Sequence, residues 1–188
     1  MVVVIMFYFL ALNSAKAEVI WTSGFESGNF SDWTSVSGNW KISGGEIHYG
    51  VKRAQVDGTS GVESILLLTE STTGYKNINL DYWFRVYAGL EADDFLYVEY
   101  TANGEDWQNL KTYTNLASNA NWQEESFLLP SEAEDNPLFG FRLRAVLGSG
   151  SDCMYFDDVF LSTMVPEPNF LFLILPILLC IFCRCKTK

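Results

Sequence analysis

The chain has 188 residues, with 12 Lys or Arg, 23 Asp or Glu and one His, and its formal net charge is −11. This length favours one domain, and the acidic balance excludes nucleic acid as a partner, because phosphates require clustered Lys and Arg. The strongest apolar runs lie at the two ends. Without them, residues 18–164 remain, which is enough chain to bury one hydrophobic core.

The first segment predicts export. Residues 2–12 are nearly all apolar, and Ala15-Lys16-Ala17 places small residues ahead of a cut before Glu18. This order is typical of a secretory signal peptide, which we assign to residues 1–17. The alternative that the residues leave open is a buried first strand.

The middle of the chain alternates apolar and polar residues with a period of two, as strands with one buried face do. In residues 80–87 the apolar and outward sets are Leu80, Tyr82, Phe84, Val86 and Asp81, Trp83, Arg85, Tyr87. Residues 139–147 alternate in the same way around Arg142 and Arg144. Glycines punctuate the rest, and residues 18–164 show no helical period. The sequence therefore predicts an all-β sandwich.

Two local patterns add detail. Asn103-Gly104 stands between two apolar runs and predicts a hairpin with a type I′ turn, whose central residues both need positive φ. Cys153 is the only cysteine of residues 18–164, so the domain contains no internal disulfide. The other cysteines have no His or acidic partner at zinc-ligand spacing.

Three motifs carry a family resemblance. They are Gly24-Phe25-Glu26-Ser27-Gly28 followed by Trp33, then Asp93–Tyr100 followed by Asn103-Gly104-Glu105-Asp106-Trp107, and finally Tyr155-Phe156-Asp157-Asp158-Val159. In this order they resemble the jelly-roll domains of the galactose-binding-like and MAM-like kind, which include carbohydrate-binding modules of secreted proteins. The resemblance spans residues 20–162 and implies a jelly-roll β-sandwich for residues 18–164.

The resemblance also implies a structural calcium ion. In such domains the opening Glu and the closing Asp often meet, which here means Glu26 and Asp157, with Asp57 from the loop at residues 57–61. Calcium takes six to eight oxygen ligands, and a cation relieves the repulsion between clustered carboxylates. The alternative is that Glu26 caps a turn and Asp157 accepts backbone N–H groups.

The outward side chains predict a glycan site. Trp83, Arg85 and Tyr87 project from one strand, and Arg142 and Arg144 have the outward parity on another. Sugar rings stack on exposed aromatic rings that polar groups flank, so we predict these five residues as ligand-binding. The alternative is that they lie beneath a long loop or pair with surface carboxylates. The remaining candidates, Trp33, Trp107 and Trp122, are predicted to fill the ends of the core.

The sequence does not predict an enzyme. Glu91 and Asp93 could share a strand face, but the next positions on that face are Phe95 and Tyr97, so the second catalytic carboxylate of sandwich glycosidases is missing. The single histidine, His48, has no serine or cysteine nucleophile signature near it.

The last segment predicts a sorting tail at residues 165–188. Val165-Pro166-Glu167-Pro168 precedes the apolar run Phe170–Phe182 and the basic residues Arg184, Lys186 and Lys188. This order resembles the bacterial PEP-CTERM signal, which implies a short membrane helix and processing by an exosortase, a transpeptidase-like membrane protease. The run is shorter than the roughly 20 residues of a membrane span. A plain membrane anchor and lipidation of Cys180, Cys183 or Cys185 are the alternatives.

Together these patterns predict a protein exported to the surface of a Gram-negative bacterium. The first hypothesis is a non-catalytic carbohydrate-binding-like module for a surface or matrix polysaccharide. The second is a structural matrix protein without a specific ligand, held by a C-terminal membrane anchor.

Overall fold

The computed structural model describes residues 15–166, and within them it contains β-strands and one short 3₁₀ helix. The strands are β1 Ala15–Ser23, β2 Ser35–Ser37, β3 Trp40–Ser43, β4 Arg53–Asp57, β5 Glu63–Thr69, β6 Ile78–Ala88, β7 Phe95–Thr101, β8 Trp107–Tyr113, β9 Gln123–Leu128, β10 Gly140–Val146 and β11 Cys153–Pro166; the helix is Ser131–Ala133. The all-β prediction is confirmed. No helix in the described part of the chain is long and apolar enough to cross a bilayer.

The strands form two sheets. Sheet A has the order β3-β4-β11-β6-β9, with β1 also paired to β11, and sheet B has the order β2-β5-β10-β7-β8. The pairs whose register the structure gives are antiparallel. In both sheets most neighbouring strands are distant in sequence. Two antiparallel sheets of this kind are consistent with the jelly-roll sandwich that the motifs implied.

The core lies between the sheets and follows the predicted alternation. Buried residues of β6 and β10 belong to it, namely Ile78, Leu80, Tyr82, Phe84, Val86, Phe141, Leu143 and Ala145. Trp33 is buried among them, edge-on to Phe141 at 5.3 Å, as predicted. The hydroxyls of Tyr82 in sheet A and Tyr113 in sheet B lie 2.8 Å apart, a polar contact inside this apolar layer.

The hairpin prediction is confirmed, but its turn type is wrong. Residues 102–106 connect β7 to β8, so the loop is longer than the two residues of a type I′ turn. Gly104 has φ of 79°, whereas Asn103 is not among the residues with positive φ. The side-chain oxygen of Asn103 instead accepts the N–H groups of Glu105 and Asp106, at 2.9 and 2.8 Å.

The ends of the described chain bear on the predicted segments. A compact unit spans Glu18–Thr163. Strand β1 starts at Ala15, so the last three residues of the predicted signal peptide belong to a strand, and β11 ends at Pro166 within the predicted sorting motif. The rest of the signal peptide and the tail from Glu167 onward lie outside the described residues.

Candidate functional site

The outer face of sheet A is covered by two loops, residues 44–52 and residues 114–122. From the first loop, the His48 ring stacks on the Trp83 ring, with centroids 3.8 Å apart. From the second, Trp122 lies edge-on to His48 at 5.9 Å and tilted against Tyr155 at 6.4 Å. The prediction that Trp122 fills the core is therefore wrong. Trp83 is packed beneath a loop, which was the alternative to a glycan site.

Arg85 and Tyr87 continue this covered face. The Nε of Arg85 donates to the carbonyl of Asn119 at 2.8 Å, and its Nη1 lies 3.6 Å from a carboxylate oxygen of Glu46. Tyr87 stacks on Tyr155 with centroids 4.8 Å apart and is 46% exposed. Of the three predicted ligand residues on β6, Tyr87 alone presents a large exposed surface.

A buried arginine ties the first loop to the sheet. Arg53 is 4% exposed, and its guanidinium lies 3.3 Å from the centre of the Tyr155 ring. Its Nε donates to the carbonyl of Gly45 at 3.0 Å, and its Nη1 donates to Gln55 at 2.9 Å. Burial lowers the pKa of Arg53, which remains charged at any ordinary pH because the guanidinium starts so basic.

The predicted calcium ligands Glu26 and Asp157 hold the same loop. One oxygen of Glu26 accepts the N–H groups of Val51 and Lys52, both at 2.9 Å. The buried Asp157 accepts the N–H groups of His48 and Tyr49, at 3.1 and 3.4 Å. Burial, and then the neighbouring Asp158, raise the pKa of Asp157 to about 6. These bonds are those of the capping alternative.

Asp57 lies apart from this pair. It is opposite Cys153 in the pairing of β4 with β11, four positions along β11 from Asp157, or about 13 Å at the rise of a strand. Its carboxylate accepts from Lys41 and, at 2.5 Å, from Gln55. Those two partners lower the pKa of Asp57 although its burial acts in the opposite direction. The structure does not bring Asp57 to Asp157.

Another group of carboxylates, Glu91, Asp93 and Asp94, has ligand oxygens within 4.8 Å of one another. The buried Asp94 accepts the N–H groups of Glu91 and Gly148, at 2.8 and 2.6 Å. These two bonds fasten the loops at residues 91–94 and 147–152, which explains the position of Asp94.

The outer face of sheet B carries Arg142 and Arg144. The five predicted ligand residues therefore lie on opposite sides of the sandwich, because β10 belongs to sheet B and β6 to sheet A. The guanidinium of Arg142 lies 4.1 Å from the centre of the Trp107 ring, and that of Arg144 lies 4.2 Å from the centre of the Tyr97 ring. Phe95 stands beside Tyr97, with centroids 5.7 Å apart.

A buried carboxylate orders both arginines. Glu99 accepts from the Nε of Arg142 at 2.7 Å, and from the Nε and Nη2 of Arg144 at 2.9 Å each. Arg144 also donates to Glu63 at 3.1 Å. Burial raises the pKa of Glu99, but the bonds from Arg144 and Arg142 outweigh it, and the pKa lies below its ordinary value.

Sequence reasoning missed Trp107, Tyr97 and Glu99 as members of this face. Trp107 was predicted as a core residue, which is wrong: it is opposite Thr101 in the pairing of β7 with β8, on the outward parity. The sequence held a signal: Leu96, Val98 and Tyr100 alternate with Tyr97 and Glu99, so the second set points outward if the first faces the core.

Comparisons with known proteins show the fold. No protein-family model matches the chain, and no curated protein matches it. Among solved structures, a CBM61 module in complex with β-1,4-galactotriose matches at TM-score 0.55 and 16% identity, over 73% of this chain and 92% of that one. The CBM22-1 xylan-binding domain of Paenibacillus barcinonensis Xyn10C matches at 0.55 and 12%, over 82% and 99%. The K2 cleaved adhesin domain of Lys-gingipain matches at 0.57 and 15%, over 75% and 98%.

Proposed function

We propose that the chain is a non-catalytic glycan-binding module that takes an oligosaccharide on the outer face of sheet B. The observation that carries this proposal is the pair of aromatic rings, Trp107 and Tyr97, each in contact with a guanidinium from β10 on the outer face of sheet B. The fold supports it, since carbohydrate-binding modules share it.

The spacing of the rings defines the ligand size. Tyr97 stands four positions along β7 from Thr101, and Thr101 pairs with Trp107 on the adjacent strand. At about 3.4 Å per residue and about 4.8 Å between strands, the two side chains leave the sheet about 14 Å apart. A ligand that touches both must be an oligosaccharide. Guanidinium N–H groups supply fixed donors for its hydroxyls.

Affinity electrophoresis tests the proposal. Residues 18–164 should be retarded in native gels that contain a soluble galactan or xylan, relative to an inert reference protein. Trp107→Ala should remove the retardation, whereas Trp83→Ala, on the covered face, should keep it. A loss with Trp83→Ala alone would place binding on sheet A, where sequence reasoning put it.

The second candidate function is a structural or adhesive matrix protein without a specific glycan. The likeness to the cleaved adhesin domain favours it. The same gels separate the two candidates, because a matrix protein would migrate unchanged in every polymer.

We further propose that the protein is exported and that its tail is a PEP-CTERM-type address for an exosortase in a Gram-negative envelope. The support is the order of motif, apolar run and basic end in residues 165–188. Intact-mass measurement of surface-extracted protein should show a species that lacks the residues beyond Pro168. A mature species that still carries Arg184 would favour the simple membrane anchor.

Calcium at Glu26 and Asp157 stays part of the proposal. The support is chemical: burial first, and the neighbouring Asp158 second, raise the pKa of Asp157, and a cation would relieve the repulsion between the two carboxylates. Asp57 does not fit the same site, because it lies about four strand positions away. Glu26 and Asp157 both accept N–H groups of the loop at residues 44–52, so an ion bound between them should fix that loop.

A further inference from the structure

The charges on the outer face of sheet B balance. Arg142 and Arg144 contribute two positive charges, and Glu99 and Glu63 contribute two negative ones, through four ion-pair contacts of 2.7 to 3.1 Å. The two carboxylates differ in burial: the side chain of Glu99 is 8% exposed, whereas that of Glu63 is 49% exposed. Glu99 is therefore the carboxylate that is shielded from solvent, so dissolved anions cannot take its place beside the arginines.

The wider field of the domain is negative. Residues 18–164 hold 8 basic and 22 acidic side chains, so a polyanion approaching any part of the surface meets repulsion beyond contact distance. The arginines of sheet B could overcome this only if their charge were available. Because Glu99 accepts from both arginines and Glu63 pairs with Arg144, the network has no net positive charge at the place where a ligand would lie.

We infer that Glu99 is a specificity-determining residue that restricts this face to uncharged glycans. The inference rests on the proposed function, since it assigns the ligand class of the same site. The arginines then act as oriented hydrogen-bond donors: Arg142 uses only its Nε towards Glu99, so its two Nη groups remain available for the vicinal hydroxyls of a sugar.

An acidic glycan would be attracted by the arginines and repelled by Glu99. A uronate carboxylate or a sulfate close to Arg142 would also lie close to Glu99, so attraction and repulsion nearly cancel, and the ligand gives up hydration for no net gain. Removing the charge of Glu99 while keeping its shape leaves the network with one net positive charge, because Glu63 still pairs with Arg144. The face should then accept polyanions.

Glu99→Gln tests the inference on the full chain, kept in a polyoxyethylene detergent that carries no sugar. Each gel contains one polymer at low ionic strength: a neutral galactan, a neutral xylan, or the polyanion polygalacturonate. Mobilities are normalised to those in a polymer-free gel. The wild type should be retarded by a neutral polymer only. The E99Q variant should gain retardation in polygalacturonate, with affinity about tenfold higher than the wild type, as one uncompensated surface charge supplies. This gain should vanish at about 0.5 M salt, where the screening length is a few ångströms.

Glu124→Gln is the matched control. It removes the same charge from an exposed residue of sheet A, opposite Trp83, and should leave both behaviours unchanged. A melting curve establishes that E99Q is folded; if it is not, Glu63→Gln tests the same network from its exposed side and should give a smaller gain in the same direction.

The outcomes separate the two proposals. If the wild type binds a neutral polymer and a folded E99Q gains no affinity for polygalacturonate, the charge filter is wrong while glycan binding stands. Wild-type binding to polygalacturonate overturns the filter directly. Migration unchanged in every polymer, for wild type and variants alike, removes the glycan proposal and the filter with it.

Discussion

The two outer faces of the sandwich carry the same kinds of side chain but differ in what lies above them. On sheet A, loops cover the aromatic rings, and His48 occupies the face of Trp83. On sheet B, the rings of Trp107 and Tyr97 contact the guanidiniums of Arg142 and Arg144 from β10. An outward aromatic ring is therefore available to a ligand only where no loop packs on it.

The largest effect should come from the covered face. Arg53→Ala leaves the carbonyl of Gly45 without its partner and removes the guanidinium from the Tyr155 ring, and we expect a loss of about 3 kcal/mol in the free energy of unfolding. Urea denaturation measures it. Arg142→Ala on the open face should cost less, because Glu99 keeps its two bonds from Arg144; equal losses would remove the distinction between the faces.

Chelation should act on the covered face alone. If calcium bridges Glu26 and Asp157, free calcium at a hundredfold excess over its Kd should stabilise the folded domain by about 2.7 kcal/mol. An excess of a chelator removes this stabilisation. For a domain of this size the melting temperature should fall by roughly 5–10 °C. The glycan retardation should persist below the new transition. An unchanged melting curve leaves Glu26 and Asp157 as acceptors of N–H groups only.

Binding should respond to the open face. Trp107→Ala should weaken retention by a neutral glycan about 30-fold, the equivalent of about 2 kcal/mol for a central aromatic contact. Isothermal titration with a soluble oligosaccharide measures the change, and the unfolding midpoint serves as its control. A variant that binds as tightly as the wild type would exclude Trp107 from the site.

Acid should distinguish Glu99 from an ordinary surface carboxylate. Its folded-state pKa is lowered, so its contribution to stability is present above the ordinary pKa of glutamate and is lost as pH falls through the folded value. Between about pH 5 and pH 3 the wild type should therefore lose more unfolding free energy than E99Q. If the unfolding free energies of wild type and E99Q fell in parallel with pH, the ion pairs of Glu99 would contribute nothing to stability.

The smallest effect belongs to Tyr87. Its ring is half exposed and already stacked on Tyr155, so Tyr87→Ala should change stability by less than about 1 kcal/mol and leave glycan affinity unchanged. A clear loss of affinity in the same titration would return the site to sheet A.

Periodicity alone predicted which way side chains point. The parity of residues 80–87 correctly placed Trp83 outward and Tyr82 in the core, because adjacent positions of a strand alternate by geometry. It could not show that Arg142 belongs to the other sheet, since strand partners are set by contacts distant in sequence. Nor could it show that residues 44–52 fold over Trp83. Trp107 was misplaced for a related reason: a tryptophan is apolar enough for a core and is stable outside one when a guanidinium packs against it.

The hydroxyl pair of Tyr82 and Tyr113 has a consequence for the uniqueness of the fold. Apolar side chains between two sheets tolerate many alternative packings, because one methyl group can replace another. Two buried hydroxyls cannot be exchanged in this way: any packing in which one layer slips along the other separates them and leaves each without a partner, at about 1–3 kcal/mol apiece. This contact inside the core therefore disfavours slipped arrangements of the same two sheets.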